Sequence, residues 1–428
     1  MGINWYNKKQ VLKEISKNGL NIQFASDELR NNKDVAKLAV TKNAHALQFV
    51  SDELKADKEI VMTAAKQNAS TLCYVSEDFR KDRAFMLDIV ESNGDALFYA
   101  SDDLKHDKYF VLEAVRDYGW ALEYVPKELQ KDIEILSMAI KDKLESFEIV
   151  SENLGNNKDI MLELAKQQGR VLYYASEELQ NDKDVVIMAV RQDGWALKYA
   201  SDELKNNKDI CLEAVKCNGN ALQFVSEELK QDEEIILNAL KENGLAIKYL
   251  SEEQKADKKL VLEAVKNNGN AIVEVDYEFR KDKEIVLEAV KNDGWSLQFS
   301  DDELKKDKEV VLEAVKQRGD ALGLASKELR NDFDFCVECL KNDLSCNSIY
   351  SMNDTISRKV VYEVVKENPS FMVHITTFSD NLRKYHDFDI FKFKTFVDML
   401  QESIDNNSLD TFKEDYHKYY QNKLSNAD

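Results

Sequence analysis

The fold is decided by a stretch of 25 residues that recurs through most of the chain. One copy begins as Asp257-Lys-Lys-Leu-Val-Leu-Glu-Ala-Val-Lys-Asn-Asn-Gly269 and continues as Asn270-Ala-Ile-Val-Glu-Val-Asp-Tyr-Glu-Phe-Arg-Lys281. No insertion or deletion breaks this register between residue 7 and about residue 373. Ten of the 13 glycines keep the period: Gly19, Gly94, Gly119, Gly169, Gly194, Gly219, Gly244, Gly269, Gly294 and Gly319. Such a period is typical of tandem-repeat proteins, whose units bury their apolar faces against their neighbours.

The first half of the unit carries the signals of one helix. A residue that can cap a helix N-terminus opens it, a broad apolar face such as Ile285-Val286-Leu287 follows, and Lys or Arg closes it. The glycine that comes next predicts a left-handed C′ residue, a common helix stop. The predicted N-caps are Asn7, Asn32, Asp57, Asp82, Asp107, Asp132, Asn157, Asp182, Asn207, Asp232, Asp257, Asp282, Asp307, Asp332 and Ser357.

The second half of the unit is shorter and predicts two further helical pieces. From Ala196 to Lys205 it reads Ala-Leu-Lys-Tyr-Ala-Ser-Asp-Glu-Leu-Lys, in which Ser201 is a second N-cap followed by negative charge. The same serine column holds Ser101, Ser176 and Ser226. We therefore expect a long helix, a short helix and a helical turn in every unit.

Together these signals predict an all-α fold. We expect an α-solenoid, or superhelix, of about fifteen 25-residue helical repeats with a C-terminal helical cap. The expected domains are an N-terminal cap at 1–6, the solenoid at 7–375, and capping helices with a polar tail at 376–428. Trp5 and Tyr6 are the residues available to cover the first helix.

The recurring pattern Asp-x-Glu-Ile-Val-Leu-x-Ala-Val-x-x-x-Gly-x-Ala-Leu-x-Tyr-Ala-Ser-x-Glu-Leu resembles a repeat family known as domain of unknown function 4116. The resemblance covers residues 7 to about 355, and two of the present units correspond to one module of the family. It implies an α-helical repeat array of bacterial or protist type, found in some secreted, host-directed proteins. It implies no activity and no catalytic residues, because no chemistry is established for the family.

Composition limits the partners that the chain can have. Hydrophobic residues make up 43% and charged residues 32% of the 428 residues, which is typical of an ordered protein. The net charge of -21, without a basic patch, argues against nucleic acid. No apolar run is long enough for membrane insertion, and the start of the chain lacks the features of a secretory signal. We expect a cytoplasmic protein, and export without a cleaved signal stays an open alternative.

The side chains that could carry chemistry have a simpler explanation in the repeat register. Cys336-x-x-Cys339 with nearby Cys346 could form a metal site, but these cysteines occupy columns of small or apolar core residues. Cys211 also stands in such a column, and His386 has no second ligand at helical spacing. We expect no metal, no cofactor and no catalytic residue, and therefore no enzymatic activity.

One column of residues is not explained by folding alone. Trp120, Trp195 and Trp295 follow the glycine position, where most units have a polar residue. In a short helix this column shares a face with residues three and four positions later. Two interpretations stay open: packing against the preceding helix end, and binding of a protein partner, at whose interfaces aromatic residues are enriched. The candidate partner-binding residues are Trp120, Tyr124, Trp195, Tyr199, Trp295 and Phe299.

A lysine column at the start of the long helix predicts contacts between units. Lys33, Lys58 and Lys108 occupy the first helical position, where the helix dipole disfavours positive charge. Pairing with acidic residues of the adjacent unit explains them, and a ladder that faces a ligand is the alternative.

A weak layer is expected at 126–157, because the pattern fails there several times. Pro126 replaces the serine cap, Leu144 replaces the glycine, and Gly155 replaces a Lys or Arg. Loss of a cap and a leucine forced into the left-handed conformation each cost about 1 kcal/mol, so we expect an altered turn.

For function, the leading hypothesis is a non-enzymatic protein-interaction scaffold that binds an unknown protein partner in the solenoid groove. The alternative is a structural or self-assembling repeat rod. A more distant alternative, which comes from the family resemblance, is a secreted effector directed at a host target. Variable aromatic residues clustered on one face favour the scaffold, whereas uniform faces and dimeric behaviour favour the rod.

Overall fold

The computed structural model describes residues 3–141, 144–343, 345, 347–352, 354–375, 390–405 and 412. It is 79% helical, and no strand occurs among these residues. The contacts divide the chain into two compact units, Met1–Cys217 and Asn218–Asp428, and both are built from the same 25-residue repeat. The prediction of an all-α repeat fold is confirmed.

Each repeat begins with a long α-helix of about ten residues. In the first unit these helices are Lys8–Lys17, Lys33–Lys42, Lys58–Gln67, Arg83–Val90, Lys108–Asp117, Ile133–Ile140, Lys158–Gln167, Lys183–Gln192 and Lys208–Cys217. In the second unit they are Glu233–Glu242, Lys258–Asn267, Lys283–Asn292, Lys308–Gln317, Phe333–Asn342 and Asp354–Glu367. Their starts recur every 25 residues as far as Phe333, and the last helix begins four positions early.

The predicted short helix is a 3-10 helix in nearly every repeat. In the first unit these segments are Gly19–Phe24, Ala44–Phe49, Ala69–Tyr74, the α-helical Ala96–Tyr99, Gly119–Tyr124, Leu144–Phe147, Gly169–Tyr174 and Gly194–Tyr199. In the second unit they are Gly219–Phe224, Gly244–Tyr249, Gly269–Glu274, Gly294–Phe299, Gly319–Leu324, Asn347–Ser351 and Pro369–Phe371. Six residues give two turns of 3-10 helix, which is long for this helix type.

The third element is a short helical segment, a single turn in most repeats, that leads to the next repeat. In the first unit these turns are Asp27–Arg30, Leu54–Ala56, Glu77–Lys81, Asp102–Lys105, Leu129–Lys131, Glu148–Leu154, Glu177–Gln180 and Asp202–Lys205. In the second unit they are Leu229–Gln231, Glu252–Lys255, Tyr277–Lys281, Leu304–Lys306 and Lys327–Arg330. The predicted three-element repeat is therefore confirmed.

The N-caps of the long helices are confirmed at every predicted position except one. Asp282 is typical, since its Oδ1 accepts hydrogen bonds from the backbone N–H groups of Glu284 and Ile285 at 3.0 and 3.4 Å. The prediction for Ser357 is wrong, because this residue is buried inside Asp354–Glu367. Helix Asp354–Glu367 starts earlier than its predecessors, so no cap is needed at the usual position.

The glycine column has a different role from the predicted one. Gly269 has no positive φ, and it begins a 3-10 helix after the extended residue Asn268 (φ −143°, ψ 108°). The left-handed C′ prediction is therefore wrong. A Cβ at Gly269 would overlap the carbonyl oxygen of Ala289 in the next long helix, so glycine is needed for close approach of two backbones. The same overlap with an alanine carbonyl occurs at Gly19, Gly119, Gly169, Gly219, Gly244 and Gly294.

Apolar side chains of the long helix form the core together with the inner side of the 3-10 helix. Ile285, Val286, Ala289 and Val290 are fully buried, as is Leu297 in the following 3-10 helix. The small alanine lets neighbouring helices approach, while the branched residues on both sides fill the space between repeats. Each repeat thus completes the core of its neighbour.

A polar ladder joins successive repeats along the surface. The carboxylate of Asp282 caps its own helix with Oδ1 and accepts a hydrogen bond from Lys258 Nζ of the preceding repeat at Oδ2, at 2.7 Å. The predicted pairing is confirmed for Lys33 and Lys108, whereas Lys58 Nζ lies 5.8 Å from the Phe85 ring centroid. The pairs are Lys33–Asp57, Arg83–Asp107, Lys108–Asp132, Lys158–Asp182, Lys258–Asp282, Lys283–Asp307 and Lys308–Asp332.

The altered turn predicted at 126–157 is confirmed. The long helix Ile133–Ile140 is two residues shorter than most, and the 3-10 helix Leu144–Phe147 runs directly into Glu148–Leu154. In most other repeats an extended residue separates these two elements, as Ala175 does. Gly155 fits this arrangement, since a Cβ there would overlap the carbonyl oxygen of Tyr174.

Both chain ends carry elements outside the regular pattern. Trp5 packs on Phe24 with ring centroids 5.2 Å apart, and its carbonyl accepts a hydrogen bond from the Ser26 N–H at 3.1 Å. Tyr6 does not cover the first helix, because 81% of it is exposed. Near the other end the structure contains helix Ile390–Asp405, and most of the region predicted as a cap lies outside the described residues.

Candidate protein-interaction surface

The outer side of the 3-10 helices forms the surface that carries the predicted site. In Gly269–Glu274 the first, third and fourth residues are buried against neighbouring repeats. The second, fifth and sixth positions therefore point away from the core, and in 3-10 geometry the second and fifth lie one above the other. We call the second, fifth and sixth positions of these segments the 3-10 face of each unit. In the two repeats of the first unit whose segment is shorter, the same columns hold Asp95, Phe98 and Tyr99, and Glu145, Glu148 and Ile149.

All six predicted residues lie on the 3-10 face and are half-buried, and they differ in their surroundings. Trp120 and Tyr124 touch edge to face, with ring centroids 6.2 Å apart and planes at 89°. Tyr199 packs against the ring of Tyr173 at 5.2 Å. The remaining members of the set are Trp195, Trp295 and Phe299.

Trp295 is used for local packing. The guanidinium carbon of Arg318, from the next repeat, lies 5.2 Å from the centroid of its ring. Its indole nitrogen is buried and has no hydrogen-bond partner among the described residues. The backbone N–H groups of Trp195 and Trp295 are held by Asp193 and Asp293, at 2.9 and 3.0 Å. This aspartate or asparagine column, which caps the 3-10 helix, was not recognised in the sequence.

Two exposed rings on the 3-10 face were missed by the sequence analysis. Phe98 is 54% exposed and Tyr173 is 58% exposed, although both are large aromatic residues. They stand in a column that in most repeats holds Gln, Glu or Lys. The doublets Phe98-Tyr99 and Tyr173-Tyr174 were the available signal, since no other repeat has two adjacent rings at this point.

A continuous chain of five rings crosses two repeats of the first unit. Tyr118 contacts Trp120 with centroids 5.8 Å apart, and Trp120 contacts Tyr124. Tyr124 in turn lies 5.4 Å from Phe98, which lies 4.9 Å from Tyr99. All four contacts are edge to face, a favourable arrangement for aromatic pairs. The chain therefore presents a preformed aromatic surface rather than isolated exposed rings.

Four carboxylates accompany these rings on the 3-10 face: Asp95, Glu123, Glu145 and Glu148. All four are exposed, and none forms an ion pair with any residue that the structure describes. The Tyr124 hydroxyl donates a hydrogen bond to Asp95 Oδ1 at 3.3 Å. Partial burial, followed by the negative charges of Asp95 and Glu123, raises the pKa of Tyr124. The surface is thus both aromatic and electronegative.

The buried cysteines that the structure describes offer no alternative site. Cys211, Cys336 and Cys339 are fully buried, as the sequence register predicted, and Cys346 lies outside the described residues. Burial raises the pKa of Cys211 and of Cys336 to about 12, so both thiols stay protonated at neutral pH. Among the residues that the structure describes, no group of His, Cys, Asp and Glu side chains could hold a metal ion. His386 lies outside the described residues.

Comparison with known families shows which family the repeats belong to. The sequence model of the domain of unknown function DUF4116 matches seven consecutive segments, residues 7–55, 57–105, 107–154, 157–205, 207–255, 257–305 and 307–353. The chain belongs to this family. Each DUF4116 module begins at or near a capping residue and spans two 25-residue repeats, as the resemblance implied. No curated protein matches the sequence. No helix in the described part of the chain is long and apolar enough to cross a membrane.

Proposed function

We propose that this member of the DUF4116 family is a non-enzymatic scaffold that binds a protein partner along its 3-10 face. The observation that carries the proposal is the chain of five edge-to-face rings in the first unit, with Phe98 more than half exposed. Rings at half-buried and exposed positions are the residues that dominate protein interfaces, because they bury a large area at low entropic cost.

Repeat architecture supports the proposal. The core and the ladder use the same columns in most repeats, while the second and fifth positions of the 3-10 face change their residues from one repeat to the next. In repeat proteins the variable face is commonly the binding face, and the partner would lie in the groove that the array forms. We further propose that binding takes place in the cytoplasm, that the partner is a protein, and that neither nucleic acid nor an enzymatic substrate is involved.

The decisive experiment is affinity capture with the full chain, compared between two matched double variants. The test variant is Phe98→Ser with Tyr173→Ser, which removes two rings from the 3-10 face. The control variant is Tyr6→Ser with Tyr109→Ser, which removes two exposed rings elsewhere, since Tyr6 and Tyr109 are 81% and 73% exposed. Neither variant disturbs the core, so both are expected to fold with an unchanged circular dichroism spectrum.

We expect the wild type and the control variant to capture a protein that the test variant does not capture. Binding of that purified protein should weaken by about tenfold in the test variant, since an interface ring contributes about 1 kcal/mol or more. Equal capture by both variants would overturn the proposal. Recovery of additional copies of this chain alone would also overturn it, and would favour the self-assembling rod.

A further inference from the structure

We propose that the partner of the first unit binds through a positively charged segment, whose Arg or Lys side chains are received by one part of the 3-10 face. This inference rests on the proposed function and specifies the chemistry of the partner. The part concerned, here called the Phe98 face, consists of Asp95, Phe98, Tyr99, Trp120, Glu123 and Tyr124.

The charge pattern of the Phe98 face selects a basic occupant. Its two carboxylates are exposed, and no described residue forms an ion pair with either of them. Glu145 and Glu148 continue the negative charge in the next repeat, and no Lys or Arg stands on the 3-10 face from Asp95 to Ile149. An aromatic surface next to carboxylates without ion pairs attracts a cation by two interactions. The ring quadrupole attracts it, and so does the negative charge of the carboxylates.

The second unit contains an internal example of this recognition. The guanidinium of Arg318 lies over the ring of Trp295 at 5.2 Å, and it also donates hydrogen bonds to the carboxylate of Asp320 at 3.3 Å. Asp320 occupies the same column as Trp295, one repeat later. In the first unit the same column holds Asp95 one repeat before Trp120, and the carboxylate of Asp95 accepts a hydrogen bond from the Tyr124 hydroxyl at 3.3 Å, so a ring and a carboxylate are again in contact.

Phe98 shows that rings of this face accept cations. The ammonium of Lys105 lies 5.5 Å from the centroid of the Phe98 ring, at the edge of the face. More than half of Phe98 is still exposed, so the ring can also receive a side chain from outside. The net charge of -21 would speed the approach of a basic partner from any direction, while the Phe98 face would determine where it docks.

The test uses a labelled peptide of alternating Gly and Arg residues, and fluorescence anisotropy with the full chain. Asp95→Asn with Glu123→Gln should weaken binding about fivefold. Phe98→Ser should weaken it about threefold by removing a cation–π partner. The matched controls are Glu28→Gln with Glu178→Gln, which removes the same charge from exposed turn positions, and Tyr109→Ser, which removes an exposed ring.

The inference is supported if both test variants bind the peptide more weakly as expected, while the control variants bind it with an affinity within about twofold of the wild type. Equal weakening by Glu28→Gln with Glu178→Gln would overturn it, because binding would then depend only on total charge. No effect of Phe98→Ser would overturn it as well. If a captured partner depends on Phe98 and Tyr173 while peptide binding depends on neither carboxylate, the scaffold stands and only the basic partner is rejected.

Discussion

The repeats at 257–332 and the repeat at 126–157 are built from the same pattern, yet they are connected differently. In the first region the N–H of Asp301 donates to the carbonyl of Arg280, and that of Ser326 donates to Lys305, both at 2.9 Å. At the corresponding place in the second region stands Pro126, which has no N–H and cannot form this bond. A change of one residue thus removes a backbone link between two repeats.

The ion-pair ladder differs in the same way. Lys258, Lys283 and Lys308 each bind the capping aspartate of the next repeat at 2.6–2.7 Å. In the irregular repeat, Ile133 replaces the lysine and Asn157 replaces the aspartate of the following repeat, so both halves of the rung are changed together. Asn157 still caps its helix, which shows that capping and cross-linking are separable functions of this column.

A surface cavity accompanies these changes. A cavity of about 800 Å³ is lined by Ile133, Ser137, Met138 and Gln167, among others. Six repeats have Leu followed by Glu where this one has Ser137 and Met138, and the Ser137 hydroxyl is buried without a partner among the described residues. Because the repeats contact mainly their neighbours, such a defect stays local, and the array tolerates it without losing its register.

The largest expected effect is the loss of stability caused by Gly269→Ala, which should loosen the packing between two regular repeats. The added Cβ would overlap the carbonyl oxygen of Ala289, so the two repeats must separate, and we expect a loss of about 1–3 kcal/mol in the free energy of unfolding. The change in the free energy of unfolding is measured by urea denaturation. The control is Gly323→Ala, where the nearest atom is a serine hydroxyl at 3.1 Å that can rotate away. Equal effects at both positions would show that close backbone approach is not the reason for the glycine column.

Hydrogen exchange should distinguish the two regions in the unmodified protein. Two links between successive repeats, one backbone hydrogen bond and one ion pair, are missing at 126–157, so local opening should cost less free energy there. We expect slowly exchanging amides at 126–157 to exchange about tenfold faster than those at 257–319. Equal protection in both regions would contradict a weak layer.

Pro126→Ser should make the irregular layer more like the regular one. It restores an N–H for the carbonyl of Lys105 and a hydroxyl that can cap the following turn, as Ser101 does at Leu104. We expect a gain of about 1 kcal/mol in local stability, seen as slower exchange at 126–157. The matched change Ser326→Pro should remove the same bond from the regular region and speed exchange there. A gain confined to other parts of the chain would contradict this account.

The smallest expected effect concerns acid sensitivity of the ladder. Burial opposes ionisation of Asp282, but hydrogen bonds from Lys258 and from the Ile285 N–H outweigh it, so the pKa of Asp282 lies below its usual value. The stability gained is complete above the unfolded-state pKa of about 4 and is lost as pH falls through the lower folded-state pKa. Asp282→Asn keeps the cap, as Asn157 does, and should reduce the protons taken up on acid unfolding by up to about one. An unchanged pH dependence would show that this rung contributes nothing.

Much of the fold could be predicted from the sequence, because start, core and stop signals recur in phase. Asp282 identified a helix start, the run at Ile285 identified a buried face, and the 25-residue spacing fixed the order of the elements. Only part of the candidate site could be predicted from the sequence. Trp120 and Tyr124 were selected correctly as neighbours, but Phe98 and Tyr173 were missed, since a ring in a single column does not reveal which rings from other repeats it will touch.

Local sequence signals determined the secondary structure that each residue adopts within its own repeat. The packing of the repeats determined which residues of other repeats it contacts. The sequence by itself determined the helices, their caps and the period, because these depend on interactions within a few residues of each other. Only the tertiary structure decided that Gly269 is required by the backbone of Ala289, that Trp295 receives Arg318, and that Tyr124 meets Phe98. Those partners lie some twenty residues or more away, so the distance between repeats, and not the local pattern, sets the role of each side chain.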